Sequence, residues 1–141
     1  MKIKSQDTGI NTRKLAESRE FYTRVFGFEV VWDGGSYIHL RNGSIELGLL
    51  QPNQEGQPAV FQGEFAGEGA WISWEVEDVD AECARIGALG LPLACPLRDE
   101  PWGERHFAVR DPNGVGINIM AEIPMTAEYA ARAAGSALAS K

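Results

Sequence analysis

Long apolar runs are missing from this sequence, so nothing in it approaches the roughly 20 residues that a membrane-spanning helix needs. The opening residues, Met1-Lys2-Ile3-Lys4-Ser5, carry no apolar stretch of the signal-peptide kind, which predicts a cytoplasmic protein with no membrane partner. Cysteine is scarce. Cys83 and Cys95 form no CxxC pair, and each reads as a small interior hydrophobe rather than half of a disulfide or metal site. Histidine is limited to His39 and His106, and no Ser/His/Asp or Cys/His grouping stands at motif spacing. Basic side chains are thin in residues 51–122, where Arg85, Arg98, Arg105 and Arg110 face thirteen acidic residues, a balance of −9. Residues 1–50 are nearly balanced, with seven basic and six acidic side chains. An acidic half repels phosphate backbones and excludes nucleic acid as a partner. It serves either as a solubility surface or as an attraction for a cationic small molecule.

What is present is an ordinary globular composition, 44% hydrophobic and 23% charged over 141 residues, which excludes a disordered chain and suits one domain. Leu15, Phe21, Tyr22, Val25 and Phe26 recur at helical spacing, and Gly27 supplies the stop. Residues 7–12 before this helix and Phe28–Trp32 after it read as strands, followed by the turn Asp33-Gly34-Gly35. Tyr37–Leu40, the tight turn Asn42-Gly43, and Ile45–Leu50 read as a hairpin. The order is β, α, β, β, β.

The same order returns near residue 70. Trp71–Val76 alternates as a strand, and Val79–Leu89 carries Val79, Cys83, Ile86 and Leu89 on one helical face, with Asp78 as N-cap and Gly90 at its end. Leu91–Ala94 reads as a short strand and Cys95–Gly103 as a loop. Arg105–Arg110, the turn Asp111-Pro112-Asn113-Gly114, and Ile117–Ala121 form the second hairpin. The expected class is therefore α+β: two tandem βαβββ units forming curved mixed sheets around a shared cavity. The expected domain spans residues 1–123, with unit one at 5–50, a linker at 51–69 and unit two at 70–123. The tail, 124–141, is expected to carry a short alanine-rich helix over Thr126–Ala134. Period-2 alternation sends Tyr37, His39, Glu46, Trp71, Ser73, Glu75, His106, Ala108, Asn118 and Met120 to the faces away from the helices.

Three stretches carry a family resemblance: Ser18-x-x-Phe21-Tyr22-x-x-Val25-x-Gly27-Phe28, Trp74-x-Val76-x-Asp78-Val79-Asp80-Ala81, and Pro101-Trp102-Gly103-x-Arg105-x-Phe107-x-Val109-x-Asp111-Pro112-Asn113-Gly114. In these, residues 7–122 resemble the vicinal oxygen chelate superfamily, which holds glyoxalase I, fosfomycin-resistance enzymes, extradiol dioxygenases and bleomycin-resistance proteins. The resemblance implies a metal held by four strand positions, usually His, Gln or Glu. Here those positions fall at Asp7, Glu46, Trp71 and Asn118. An indole cannot ligate a divalent ion and a neutral amide oxygen is a poor ligand for transition metals, so no metal cofactor is expected. Neither His39 nor His106 stands at a position of the pattern.

The resemblance then favours the bleomycin-resistance branch, metal-free acidic dimers that sequester a cationic drug with flat rings. Trp32, Tyr37, Trp71 and Trp102 would supply aromatic surface, with Phe107 either beside them or turned to the helix. Asp7, Glu46 and Glu75 would supply negative charge, and Arg105, ahead of Arg41, is the expected internal partner of Glu46. With His39, His106 and Asn118 these form the expected ligand site. The expected function is non-catalytic binding of an aromatic, cationic small molecule, as in antibiotic resistance by sequestration, in a homodimer. The alternative is a lyase or dioxygenase-type enzyme of the same superfamily, in which His39 and Glu46 would act as acid and base.

Overall fold

The computed structural model describes residues 1–139. Its elements run β1 (Asp7–Asn11), α1 (Leu15–Phe26), β2 (Glu29–Asp33), β3 (Tyr37–Asn42), β4 (Ile45–Leu50), β5 (Trp71–Glu75), α2 (Val79–Ala88), β6 (Cys95–Glu100), β7 (Glu104–Arg110), β8 (Gly116–Glu122) and α3 (Ala127–Ala139). A single 3-10 turn, Ala59–Phe61, interrupts the linker. The chain forms two compact units. One holds Met1–Gly69 together with Asp111–Val115, and the other holds Ala70–Arg110 and the chain from Gly116 on.

In the first unit the sheet order is β1-β4-β3-β2. β1 runs parallel to β4, level from Asp7 with Glu46 to Asn11 with Leu50, and β3 is antiparallel to both β4 and β2. Alternation does the sorting. Ile38 and Leu40 of β3 and Leu47 and Leu49 of β4 are buried, as are Ser18, Tyr22 and Val25 of α1. Each such fully buried aliphatic side chain contributes about 1.5–3 kcal/mol of transfer free energy. Gly27 ends α1 in the left-handed region at φ 68°, its N–H returning to the Tyr22 carbonyl, which is the conformation that favours glycine there.

Residues Asp111–Val115 belong to this unit through a buried polar cluster. The Tyr22 hydroxyl donates to Asp111 Oδ2 at 2.7 Å, and Asp111 Oδ1 accepts from the Asn113 and Val115 N–H groups. Asn113 Nδ2 in turn reaches Ser18 Oγ at 3.0 Å. Burial first, then the Asp111 charge, pushes the Tyr22 phenol far above its ordinary range, so it is a permanent donor.

The second unit repeats the plan with order β5-β8-β7-β6. Phe107, Val109, Ile117 and Ile119 form its buried sheet face. Phe107 thus belongs to the core, the second of the two places open to it. Asp78 caps α2 by accepting from Ala81 N–H at 2.9 Å. One element differs from the expectation. The strand before the second hairpin is not Leu91–Ala94 but Cys95–Glu100, inside the stretch read as a loop. Pro96 and the charges of Arg98, Asp99 and Glu100 disguise it. β6 is an edge strand with a bulge between Cys95 and Arg98, and both features admit a proline that a central strand would refuse.

α3 is capped by Thr126, whose Oγ1 accepts from Tyr129 N–H, and the Thr126 N–H is held by the Pro101 carbonyl. Gly103 sits at φ 98°, with the Ile123 carbonyl 2.8 Å from where a Cβ would stand. No helix among the described residues is long and apolar enough to cross a membrane.

Candidate functional site

Each sheet leaves one face uncovered by its own helix, and each such face lines a hollow. In the first unit, Tyr37, His39 and Arg41 of β3 alternate with the buried Ile38 and Leu40, opposite Leu50, Gly48 and Glu46 of β4. Gly48 lets the Tyr37 ring lie flat across the strand: a Cβ there would stand 2.8 Å from the Tyr37 hydroxyl. Tyr37 Oη meets His39 Nδ1 at 3.1 Å, and His39 Nε2 lies 3.5 Å from Glu46 Oε2. The Glu46 charge is answered by Arg41 at 2.7 Å, not by Arg105. Arg41 holds the Glu46 carboxyl below the usual range, outweighing burial, and His39 adds to the effect. The Tyr37 phenol is pushed up, by burial first and then by the charges of Asp7 and Glu46. Trp32 folds over Gly34 and contacts Tyr37 with ring centroids 6.0 Å apart, outside the hollow itself.

That hollow, of about 640 Å³, lies between Asp7, Ile10, Tyr37, Gly48 and Leu50 on the sheet side and residues 57–65 of the linker. The linker was expected only to join the units. It is also a strap, fixed to the end of β1 by Asn11, whose Nδ2 donates to the Phe61 carbonyl at 2.7 Å and whose own carbonyl accepts from Phe65 N–H. Arg13 and Glu64 pair beside it at 3.0 Å.

In the second unit the hollow is about 530 Å³, lined by Trp71, Ser73, Trp102, Glu104, His106, Ala108, Gly116 and Asn118. Its polar groups form a closed network. Asn118 Nδ2 donates to Glu104 Oε1 at 2.7 Å and to Ser73 Oγ at 3.1 Å, and Trp102 Nε1 donates to Glu104 Oε2 at 2.8 Å. His106 Nδ1 faces Asn118 Oδ1 at 2.7 Å and Glu104 at 3.2 Å, while Nε2 faces the buried Glu100 at 3.0 Å. Arg98 pairs with Glu100 as well. Both imidazole nitrogens therefore meet acceptors, which only the imidazolium satisfies. Burial alone would lower the His106 pKa, but Glu100, Asn118 and Glu104 together raise it above its ordinary value. Burial alone would raise Glu104, and the donors Asn118 and Trp102, then His106, bring it below the usual carboxylate range. Arg98 and His106 lower Glu100 likewise.

Several expected site residues are placed elsewhere. Arg105 points to the helix side, where it bonds Asp80 of α2 and Asp99 of β6, both at 2.7 Å. It stands one residue out of phase with His106, so alternation sends it to the opposite face. Glu75 is exposed at the end of β5, outside the residues lining the second hollow. Asp7 is level with Glu46, whereas Trp71 is level with Gly116, and Asn118 with Ser73. The two units thus do not present their four marked positions in matching rows. Glu100 and Glu104 were missed. Glu104 shares the period-2 phase of His106 and Ala108, a signal that the expected strand start at Arg105 leaves out.

The four positions that the resemblance marks for a metal do not fit one. Trp71 offers an indole, the Asn118 oxygen is engaged by His106, and Glu46 is engaged by Arg41. Among the described residues no group of three or more His, Cys, Asp and Glu is arranged to hold a metal ion.

Residues 5–119 match the family model described as Glyoxalase/Bleomycin resistance protein/Dioxygenase superfamily. No curated protein matches the sequence. Among solved structures, a lactoylglutathione lyase from Agrobacterium tumefaciens is similar at 22% identity and TM-score 0.70, over 85% of this chain and 95% of that one. A glyoxalase/bleomycin resistance protein/dioxygenase from Nocardioides gives 21% and 0.72, over 87% and 86%. TioX from Micromonospora sp. ML1 gives 23% and 0.64, over 85% and 100%. At these identities the likeness is one of fold.

Proposed function

The chain belongs to the glyoxalase/bleomycin resistance protein/dioxygenase superfamily, a fold that hosts many chemistries, and from its side chains we propose that it binds and sequesters a flat aromatic small molecule bearing positive charge. One observation carries this reading. On the second sheet face the polar groups bond one another, while Trp71 and Trp102 stand 70% and 43% exposed beside them. Groups already satisfied have little to offer a reacting substrate. An exposed indole next to a hollow of drug-like volume offers a stacking surface instead.

Charge favours a cation. His106 and Arg98 answer Glu100 and Glu104 on this face, and the attraction for a cation is that of residues 51–122, whose balance is −9. An antibiotic of the bleomycin type is the first ligand class to test. Titration should give saturable Trp quenching and a thermal shift, since a ligand at 100 times its Kd adds about 2.7 kcal/mol. Acridone, flat and neutral, isolates the stacking contribution. Absence of both signals with acridone and with a panel of aromatic cationic antibiotics refutes the reading.

A second reading, acid–base catalysis in the first unit, is favoured by one grouping: His39 Nδ1 meets Tyr37 Oη, and its buried Nε2, which makes no hydrogen bond among the described residues, lies 3.5 Å from Glu46 Oε2. Because Arg41 keeps Glu46 ionised, His39 would be the proton carrier and Glu46 the group that orients it. Turnover of any substrate that is abolished by His39→Gln with binding retained would establish it. Stoichiometric Zn, Ni, Mn or Fe surviving dialysis against chelator would overturn the metal-free form of both readings.

A further inference from the structure

We propose that the hollow between the first sheet and the 57–65 strap is a binding site for an organic ammonium group, with the Asp7 carboxylate as counter-ion and the apolar wall of Leu50, Val60 and Phe61 taking its hydrocarbon. The proposal goes beyond the stacking reading of the second unit: it stands on the first unit alone and gives this hollow a ligand class of its own.

Three features of the first unit support it. The other acidic groups bordering this region already have guanidinium partners, Glu46 with Arg41 and Glu64 with Arg13. Asp7 has none among the described residues, and it lies on the hollow. An unanswered carboxylate beside apolar surface matches a ligand that is charged at one end and hydrocarbon at the other.

The wall is apolar where it meets the strap. Val60 and Phe61 expose most of their side chains, 79% and 57%, a costly display on a segment held in place by Asn11 unless something covers it. Aromatic faces are also at hand in Tyr37, Phe61 and Phe65, and an alkylammonium near such a ring is attracted by its negative face. The phenol of Tyr37, pushed up by burial and then by the charges of Asp7 and Glu46, stays neutral at working pH and offers a ring face to the hollow.

The donor set argues against simpler occupants. A divalent ion asks for about six or more oxygen ligands, and one free carboxylate is too few. An anion would face Asp7 with no cation to hold it. The strap segment adds no competing cation, since residues 51–69 carry Glu55, Glu64 and Glu68 and no basic side chain.

The test uses the full chain and three isosteric probes in calorimetry at pH 7: cyclohexylmethylammonium, cyclohexylmethanol and cyclohexanecarboxylate. None is flat, so none reports on stacking. The ammonium should bind about tenfold more tightly than the alcohol, and the carboxylate not detectably, if a partly exposed ion pair and a ring contact both act. Asp7→Asn should weaken the ammonium by about three- to fivefold and leave the alcohol unchanged. Phe61→Ala should weaken both. Equal binding of ammonium and alcohol, indifference to Asp7→Asn, or no binding of any probe overturns the proposal. Acridone titrated into the same samples separates the two ideas: its failure with the ammonium result intact removes the stacking reading alone.

Discussion

Replacing Trp71 with leucine removes a flat surface while disturbing the fold little. The side chain is 70% exposed, and it stands level with Gly116 of the neighbouring strand, where an added Cβ would lie 3.5 Å from that of Trp71. A substitution at such a surface position changes stability by about 0.5 kcal/mol or less. Binding should respond far more. A ligand lying on one face of an indole removes on the order of 100 Å² of apolar surface from water, worth about 2.5 kcal/mol at about 25 cal/mol per Å². Leucine recovers roughly half of that area and none of the ring–ring preference of about 0.5–1.5 kcal/mol. The net loss is about 1.8–2.8 kcal/mol, or about 20- to 100-fold in Kd. Acridone titration of wild type and Trp71→Leu by calorimetry measures it, with circular dichroism and the melting temperature as checks on folding. A change of less than about threefold in a folded variant would refute stacking on Trp71.

Other expectations concern the polar clusters. Tyr22→Phe deletes a buried donor to the Asp111 carboxylate and should cost about 1.5–3 kcal/mol in urea unfolding, with the melting temperature falling by roughly 5–10 °C. A loss below about 0.5 kcal/mol would show that the cluster contributes little to holding residues 111–115. Because the folded-state pKa of His106 is raised, its contribution is complete below its unfolded pKa of about 6.5 and is lost as pH rises through the folded value. The stability gap between wild type and His106→Gln should therefore be widest near pH 6 and close toward alkaline pH; a gap that widens instead would contradict the imidazolium assignment. Glu104→Gln removes one of the charges holding that proton, so the His106 titration followed by NMR should move down toward its ordinary value, and Trp102 emission should shift as its indole loses a charged acceptor.

How far the sequence could be read depended on the range of the interactions. Helix α1 was legible because its apolar spacing, its glycine stop and its buried face agree within a few residues. The pairing of Arg41 with Glu46 was within reach too, since a two-residue turn after Asn42 places those positions opposite each other. The partner of Arg105 is not legible from its charge, which would suit Glu46 as well, whereas its strand phase puts it on the helix side with Asp80. β6 was hidden because proline and charge are the features of a loop until one knows that the strand lies at an edge. The strap was invisible for a different reason. Its contacts with Asn11 cross fifty residues and leave no periodic trace in residues 51–69.

The loop Asp111–Val115 lies in sequence between two strands of the second unit yet completes the first. On the ribosome, chains emerge from the N-terminus, and N-terminal units generally form before those that follow. Here the first 69 residues would leave the exit tunnel with the Tyr22 hydroxyl and the Ser18 side chain lacking their Asp111 and Asn113 partners, and would wait more than forty residues for them. At the usual ~5–20 residues per second, that delay is a matter of seconds. A translational pause placed before residue 111 should prolong a protease-sensitive nascent state, and one placed after residue 115 should not.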